Sequence, residues 1–294
     1  WNDAWLAGRI SAEATGAIGA ASYISWFMTM LFWMADTGAT AIVSRAFGAK
    51  NYSEAQHTTN QAFTLAIVLG LLGTVFVTFA APVAVSLLNM QSSAAKIATD
   101  FIRIDAIGYV GASVSFALAA SLRGAGDTRT PLMILGGVNV ANFVFSRVFA
   151  FGIDPPAVGG AGLGFAGFAG MGVNGIAWGT VLARFLGAVW IVTLLLRSPT
   201  SPRTGATPSR REIRGQLRLR SRLMPPDRGL LYRMLAIGVP ASADGTIAFV
   251  GHFCFMAIVN RVPTAFSPPV LYAAHIVGIR IESLSYLPAQ AWSV

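Results

Sequence analysis

Charge is scarce in this chain. Only 11% of its 294 residues are charged, and 54% are hydrophobic. A soluble domain carries about 25% charged residues, so this composition cannot build a water-facing surface. Cysteine occurs once, which excludes an intramolecular disulfide. Cys254 sits in HFCFMAIV and reads as a small apolar side chain. The histidines His57, His252 and His275 have no metal-ligand spacing. No GxxxxGK[ST] phosphate loop, GxSxG or HExxH occurs, so the residues argue against nucleotide hydrolysis and against an enzyme. GLGFAG at 162–167 matches GxGxxG, but it lies in a glycine-rich loop, and position 184, where the fingerprint wants an acid, is Arg. It reads as a flexible loop.

What is abundant is long apolar sequence. A spanning helix needs about 20 mostly apolar residues. Six stretches qualify, at 16–44, 56–88, 96–122, 130–152, 174–197 and 232–259, and a seventh starts near 270. The opening WNDAWLAGRIS reads as the last turns of an earlier span. The chain is therefore expected to be an internal fragment, cut inside its first and last spans, which number one to eight. The fold class is an all-α membrane protein.

The connections carry stop and start signals. Gly48 suits a left-handed C-terminal cap, and Ser53 with Gln56 suits a capping box for span three. In SLRGAGDTRTP (121–131), Gly124 or Gly126 is placed to end span four. Thr130 caps span five, with Pro131 at its first position. The loops after spans two, four and six, with the adjoining helix ends, hold fourteen of the 21 Lys and Arg residues, so the positive-inside rule makes them cytoplasmic. The segment 198–228 is polar and Arg-rich and reads as a cytoplasmic linker between two halves. Its arginines suit anionic lipid. No aromatic residue interleaves them, so nucleic acid is not expected as a partner. A weak repeat lays AWLAGRI (4–10) over AIVNRV (257–262) and AIGAASYI (17–24) over VLYAAHIV (270–277). An even number of helices per half implies parallel repeats, a transporter layout.

Ionisable residues inside spans are costly in lipid and usually face a cavity. They are Asp3, Asp36, Asp105, Arg147, Arg184, Asp244, Arg280 and Glu282. Asp36 lies about 13 Å from the cytoplasmic end of span two, and Asp244 about 18 Å into span seven. Arg103 and Asp105 read as stabilising the outer end of span four. Arg280 and Glu282, two apart, point to different faces.

At these residues the chain resembles a known family. LRGAGDTRTPL (122–132) is similar to the helix-four-to-five signature of the multidrug and toxic compound extrusion (MATE) family. DAWLAGRIS (3–11), ATAIVSRAFGAKN (39–51), GVNGIAWGTVLAR (172–184) and YAAHIVGIRIESLSYLP (272–288) agree in order and position, and the short glycine-ended loops look closest to the DinF-like branch. The resemblance implies a MATE-like bundle with an N-terminal six-helix lobe, its first helix truncated, plus the first one to two helices of the C-terminal lobe. The divisions are 1–197 for the first lobe, 198–228 for the linker and 229–294 for the start of the second.

The resemblance further implies a multi-pass protein of the cell inner (plasma) membrane. It would act as a monomer, exporting small-molecule organic cations in exchange for H⁺ or Na⁺, with no cofactor beyond that ion. Asp3 occupies the position of the family's coupling carboxylate. Some members carry N-x-x-x-D-P late in helix five. Here Asn142 is kept, but the acid is Ser146 and the proline is Arg147. Either Asp3 works alone or Asp36 replaces the missing charge, while Asn142 and Ser146 offer oxygen ligands to a small cation. Asp244, Phe143 and Trp33 are the candidate substrate-binding residues. The aromatics Trp26, Phe27, Phe32 and Phe145 are further possible cavity walls.

Two rival readings stay open. A lipid-linked oligosaccharide flippase of the same broader superfamily would need a cationic cavity, to which Arg147 and Arg184 would contribute. An intramembrane enzyme would need paired acids or a metal cluster. A fragment whose terminal helices lack their partners is expected not to transport. Vesicles bearing only residues 1–294 should show no vectorial dye efflux; measurable efflux would refute this.

Overall fold

The expectation of an all-helical membrane chain is met. A computed structural model describes residues 2–87, 92–152, 170–198 and 209–259, with 278, 281 and 282, and contains no strand among them. The elements are α1 (Asn2–Gly8), α2 (Ala12–Gly48), α3 (Tyr52–Leu87), α4 (Ser92–Ile107), α5 (Tyr109–Gly124), α6 (Arg129–Phe151), α7 (Val173–Arg197), α8 (Arg210–Gln216), a short 3₁₀ turn (Ser221–Leu223) and α9 (Arg228–Val259). The glycine loop at 162–167 and most of the expected eighth span lie outside the described residues.

Five helices are long and apolar enough to cross a membrane: α2, α3, α6, α7 and most of α9. Counting the bent pair α4–α5 as one span gives six. Helices suit this setting because hydrocarbon offers no hydrogen-bond partners, and a helix satisfies its own backbone. On α3 one stripe (Leu72, Phe76, Phe79, Val83) faces outward, Phe79 being 78% exposed. Such a stripe belongs against lipid tails rather than water. Its opposite face buries small residues, among them Ala62, Ala66, Gly70 and Gly73, which let helix backbones approach closely.

Span four was expected to be continuous over 96–122. It is instead two helices, bent by 47° across Gly108. A β-carbon on Gly108 would come within 3.1 Å of the Arg184 Cδ, and one on Gly111 within 2.9 Å of the Arg184 carbonyl carbon. The break therefore opens space for a charged side chain from α7.

The three basic connections meet at one end. Residues from the α2–α3 turn (Gly48, Lys50) and the α5–α6 turn (Gly124, Gly126) line a shared shallow cavity. The segment after α8 lies across the start of α3. Gln56 and Asn60 donate to the Arg218 carbonyl at 3.0 and 3.3 Å. Gln61 donates to the carbonyls of Leu223 and Pro225, both at 2.8 Å. Buried amides on an apolar helix are satisfied by backbone groups of the linker. Residues 218–227 are thus docked on α3 by specific bonds.

The turns use other residues than expected. Lys50, not Gly48, takes the left-handed conformation, with φ 60°. The box at the start of α3 is Asn51 with Glu54, two residues earlier than Ser53 with Gln56: Glu54 N donates to Asn51 Oδ1 at 3.2 Å, and Asn51 Nδ2 to Glu54 Oε2 at 3.0 Å. Gly126, with φ 93°, ends the α5 turn, where a side chain would be strained. Thr130 is a donor rather than the cap. Asp127 accepts from the Thr130 N–H at 3.1 Å and from its hydroxyl at 2.6 Å, and it is itself buried. A carboxylate at the positive end of α6 is favoured over a hydroxyl.

Asp127→Ala should destabilise the protein by about 1–2 kcal/mol, read as a lower midpoint of thermal unfolding in detergent. Asp127→Asn, which keeps an acceptor, should lose less.

Candidate functional site

The residues that the sequence singled out around Asp3 come from two helices, and a third supplies Thr180, which the sequence reading missed. Asp3 lies on α1, Asn142 and Ser146 on α6, and Thr180 on α7. The Thr180 hydroxyl reaches Asp3 Oδ2 at 3.2 Å and also the Ile176 carbonyl at 3.1 Å. A hydroxyl carries one proton, so the two acceptors compete for it. Asn142 Nδ2 donates to Thr180 Oγ1 at 2.8 Å and reaches Ser146 Oγ at 3.5 Å. Its Oδ1 accepts from Asn2 Nδ2 at 3.3 Å. Ser146 is fully buried and donates to the Ile176 carbonyl at 3.1 Å. The remaining Asp3 oxygen, Oδ1, is buried without a hydrogen-bond partner.

One turn along α7 from Thr180, Arg184 crosses to the end of α4. Its NH1 lies 2.8 Å from Asp105 Oδ1 and 3.3 Å from the Asp105 carbonyl. The last carbonyls of a helix carry partial negative charge, so the guanidinium meets two attractive groups there. Asp105 Oδ2 accepts from the Ser25 hydroxyl at 2.6 Å. Tyr109 closes the cluster: its hydroxyl is 3.4 Å from Ser25 Oγ, and the Arg184 guanidinium carbon lies 5.7 Å from its ring centre. Arg184 follows Thr180 by one turn on α7, so the Asp105–Arg184 pair borders the residue that holds Asp3. Two acids and one arginine leave the cluster with one net negative charge when all are ionised.

Asp36 belongs elsewhere. Arg123 NH2 bonds both its carboxylate oxygens, at 3.0 and 2.7 Å. It lies eleven residues, about 16 Å, along α2 from Ser25. The acid that accompanies Asp3 is therefore Asp105.

A family model described as MatE matches residues 2–148, half of the chain. The chain belongs to the MATE family. It is 27% identical over 292 residues to the probable multidrug resistance protein NorM of Thermotoga maritima, covering 99% of this chain and 56% of that protein. It is 23% identical over 298 residues to the probable multidrug resistance protein YoeA of Bacillus subtilis, covering 93% of this chain and 58% of that one. Its fold is similar to that of an inward-facing multidrug resistance MATE family transporter of the MOP superfamily. The TM-score is 0.77 at 19% identity, over 98% of this chain and 57% of the other. The MATE chain thus spans somewhat more than half the length of these relatives.

Among the other residues singled out, Phe143 of α6 meets Trp5 of α1 in a tilted ring pair, with centres 6.1 Å apart and both rings exposed. Trp33 is partly exposed on α2. Asp244 lies on α9, and its side chain is outside the described residues. Phe27 and Tyr23 of α2 meet Phe249 of α9, at 5.0 and 6.5 Å between ring centres. Asp105, expected with Arg103 to stabilise the outer end of its helix, pairs with Arg184 of α7. Arg103 instead donates to the Thr78 carbonyl at 3.4 Å. No sequence pattern links positions 79 residues apart. The one usable signal was that each is an ionisable residue inside a span.

Breaking this MATE ion pair from one side should cost about 3–5 kcal/mol, because it strands a buried charge. Asp105→Asn or Arg184→Gln alone should lower the unfolding midpoint strongly in detergent. The double variant should recover much of the loss; equal loss in all three would contradict the pairing.

Proposed function

We propose that this MATE chain is part of a secondary antiporter of the plasma membrane. It exports organic cations in exchange for H⁺ or Na⁺ by alternating access, as a monomer and without a cofactor. The reading is of a transporter and not an enzyme, in keeping with the names of its relatives. One observation carries it: Asp3 is held by Thr180 with its second oxygen open, whereas Asp36 and Asp105 are each committed to an arginine.

An ion pair already made offers little to an incoming cation. An unpaired carboxylate oxygen among apolar walls offers a great deal, because attraction strengthens where water is scarce. H⁺ or Na⁺ at Asp3 removes the negative charge. The Thr180 hydroxyl then loses its reason to turn from Ile176, and the α1–α7 contact changes with it. Asn142 and Ser146 supply neighbouring oxygens for Na⁺. An organic cation competes for the same net charge. Exchange follows if drug and ion favour opposite lobe arrangements, since ligands act only through differing affinity for the two states.

The flippase reading needs a net cationic cavity. Arg184 is neutralised by Asp105 at 2.8 Å, which supports the extruder reading instead.

The test is export of a fluorescent cationic dye by the full-length transporter, of which this chain is a part, from vesicles under a proton gradient without sodium, comparing wild type with Asp3→Asn. Wild type should pump and the variant should fall to background. Equal pumping by both would remove Asp3 from the coupling role. Pumping only when sodium is supplied would identify the ion as Na⁺, and no dye movement under either gradient would favour the flippase.

A further inference from the structure

The cytoplasmic ends of α6 and α7 and the short α8 enclose a groove that the proposed transport does not use. It consists of two adjoining cavities of about 440 and 390 Å³, which share Trp190, Leu194, Arg211 and Arg214 as walls. Its upper part is basic: Arg197 at the end of α7, with Arg211 and Arg214 from α8. Apolar side chains, Trp190, Leu194, Met133 and Ile134, share its walls with these arginines and with Arg210. Trp190 and Arg197 are seven residues apart on one helix, so about 10 Å of depth separates them.

Three features of this groove call for an anion. No acidic residue lines it. Glu212, the acid nearest in sequence, accepts from the Ser209 N–H at 2.6 Å to cap α8. None of Arg197, Arg211 and Arg214 forms an ion pair with a carboxylate among the described residues. Finally, Arg214 Nε is buried without a hydrogen-bond partner. A buried donor left unmade is costly, and an anion drawn to the Arg214 guanidinium would lower that cost.

The apolar side chains decide which anion. Free phosphate has no use for a tryptophan, a leucine and a methionine below its oxygens. A phospholipid has, because its glycerol and first methylenes follow the phosphate downward. The Trp190 ring packs on Gly137 of α6, where a β-carbon would lie 2.8 Å from it. Aromatic residues at this level are typical of the headgroup boundary, and basic pockets between helices on the cytoplasmic side suit anionic headgroups. We propose that this groove binds the phosphate of an anionic phospholipid of the inner leaflet, with the guanidinium groups of Arg197, Arg211 and Arg214 around it. A lipid seated there would tie α8, and with it the linker docked on α3, to the ends of α6 and α7.

The test is retention of phosphatidylglycerol against phosphatidylcholine by the purified protein, measured by native mass spectrometry. Wild type should retain phosphatidylglycerol preferentially. Arg197→Gln, Arg211→Gln and Arg214→Gln should each weaken retention about fivefold. The double variant Arg222→Gln/Arg228→Gln removes charge from exposed linker positions outside the groove and should leave retention unchanged. Arg211 is itself exposed, so its variant reports on binding even if Arg214→Gln does not fold. Equal loss in the control variant would reduce the effect to general surface charge and overturn the proposal. Indifference to headgroup would also overturn it, as would full displacement of the lipid by millimolar inorganic phosphate.

Discussion

Buried charge in an apolar surround must be paired, because neither lipid nor a packed helix interface can solvate it. Three acids at depth show how far this constraint shapes the MATE chain. Asp36 draws Arg123 from the end of α5 onto α2. Asp105 draws Arg184 from α7 onto the end of α4, and that contact sits in the space opened by the break at Gly108. Ser25 then adds α2 to the same cluster. Four of the membrane-embedded helices are therefore joined by two ion pairs and a serine. Against this background of satisfied charge, the open oxygen of Asp3 stands out.

The stretch 121–131, the most distinctive in the chain, works as a helix-joining device. Arg123 forms the ion pair to Asp36. Gly124 lies where a β-carbon would come within 2.8 Å of the Thr40 carbonyl. Gly126 supplies the positive φ that closes α5, and Asp127 caps α6. Each residue answers a separate demand of geometry or charge at the basic end of the bundle. The amides on α3 do similar work nearby: Gln56, Asn60 and Gln61 sit where a spanning helix would ordinarily be apolar, and they hold the linker backbone.

The proposed coupling site has a division of labour that follows from these contacts. Asp105 and Arg184 set a fixed, nearly neutral wall. Asp3 carries the charge that remains free to be exchanged. Thr180, with one proton and two acceptors, links the state of Asp3 to the backbone of α7. The family's second acid is absent, with Ser146 in its place packed against the Ile176 carbonyl. The nearby second carboxylate comes from α4 rather than from α6 or α2.

The sequence alone determined the helical class, the six membrane-crossing segments and the grouping of basic loops. Each of these depends on local composition: the length of an apolar run, or the count of arginines between runs. It also brought forward Asp3, Asn142 and Ser146, through resemblance and position. The caps were legible only to within two or three residues, because Asn, Asp, Ser and Thr compete for the same role and local geometry selects among them. The break at Gly108 was hidden, since the run through 96–122 stays apolar and a single glycine does not require a bend. The partners of Asp36, Asp105 and Arg184 were hidden as well. Those pairings join residues 79 to 87 positions apart, and helical periodicity shows which face a charge occupies without showing what that face meets. Only the packing of the helices decided which buried charges were neutralised and which oxygen was left open.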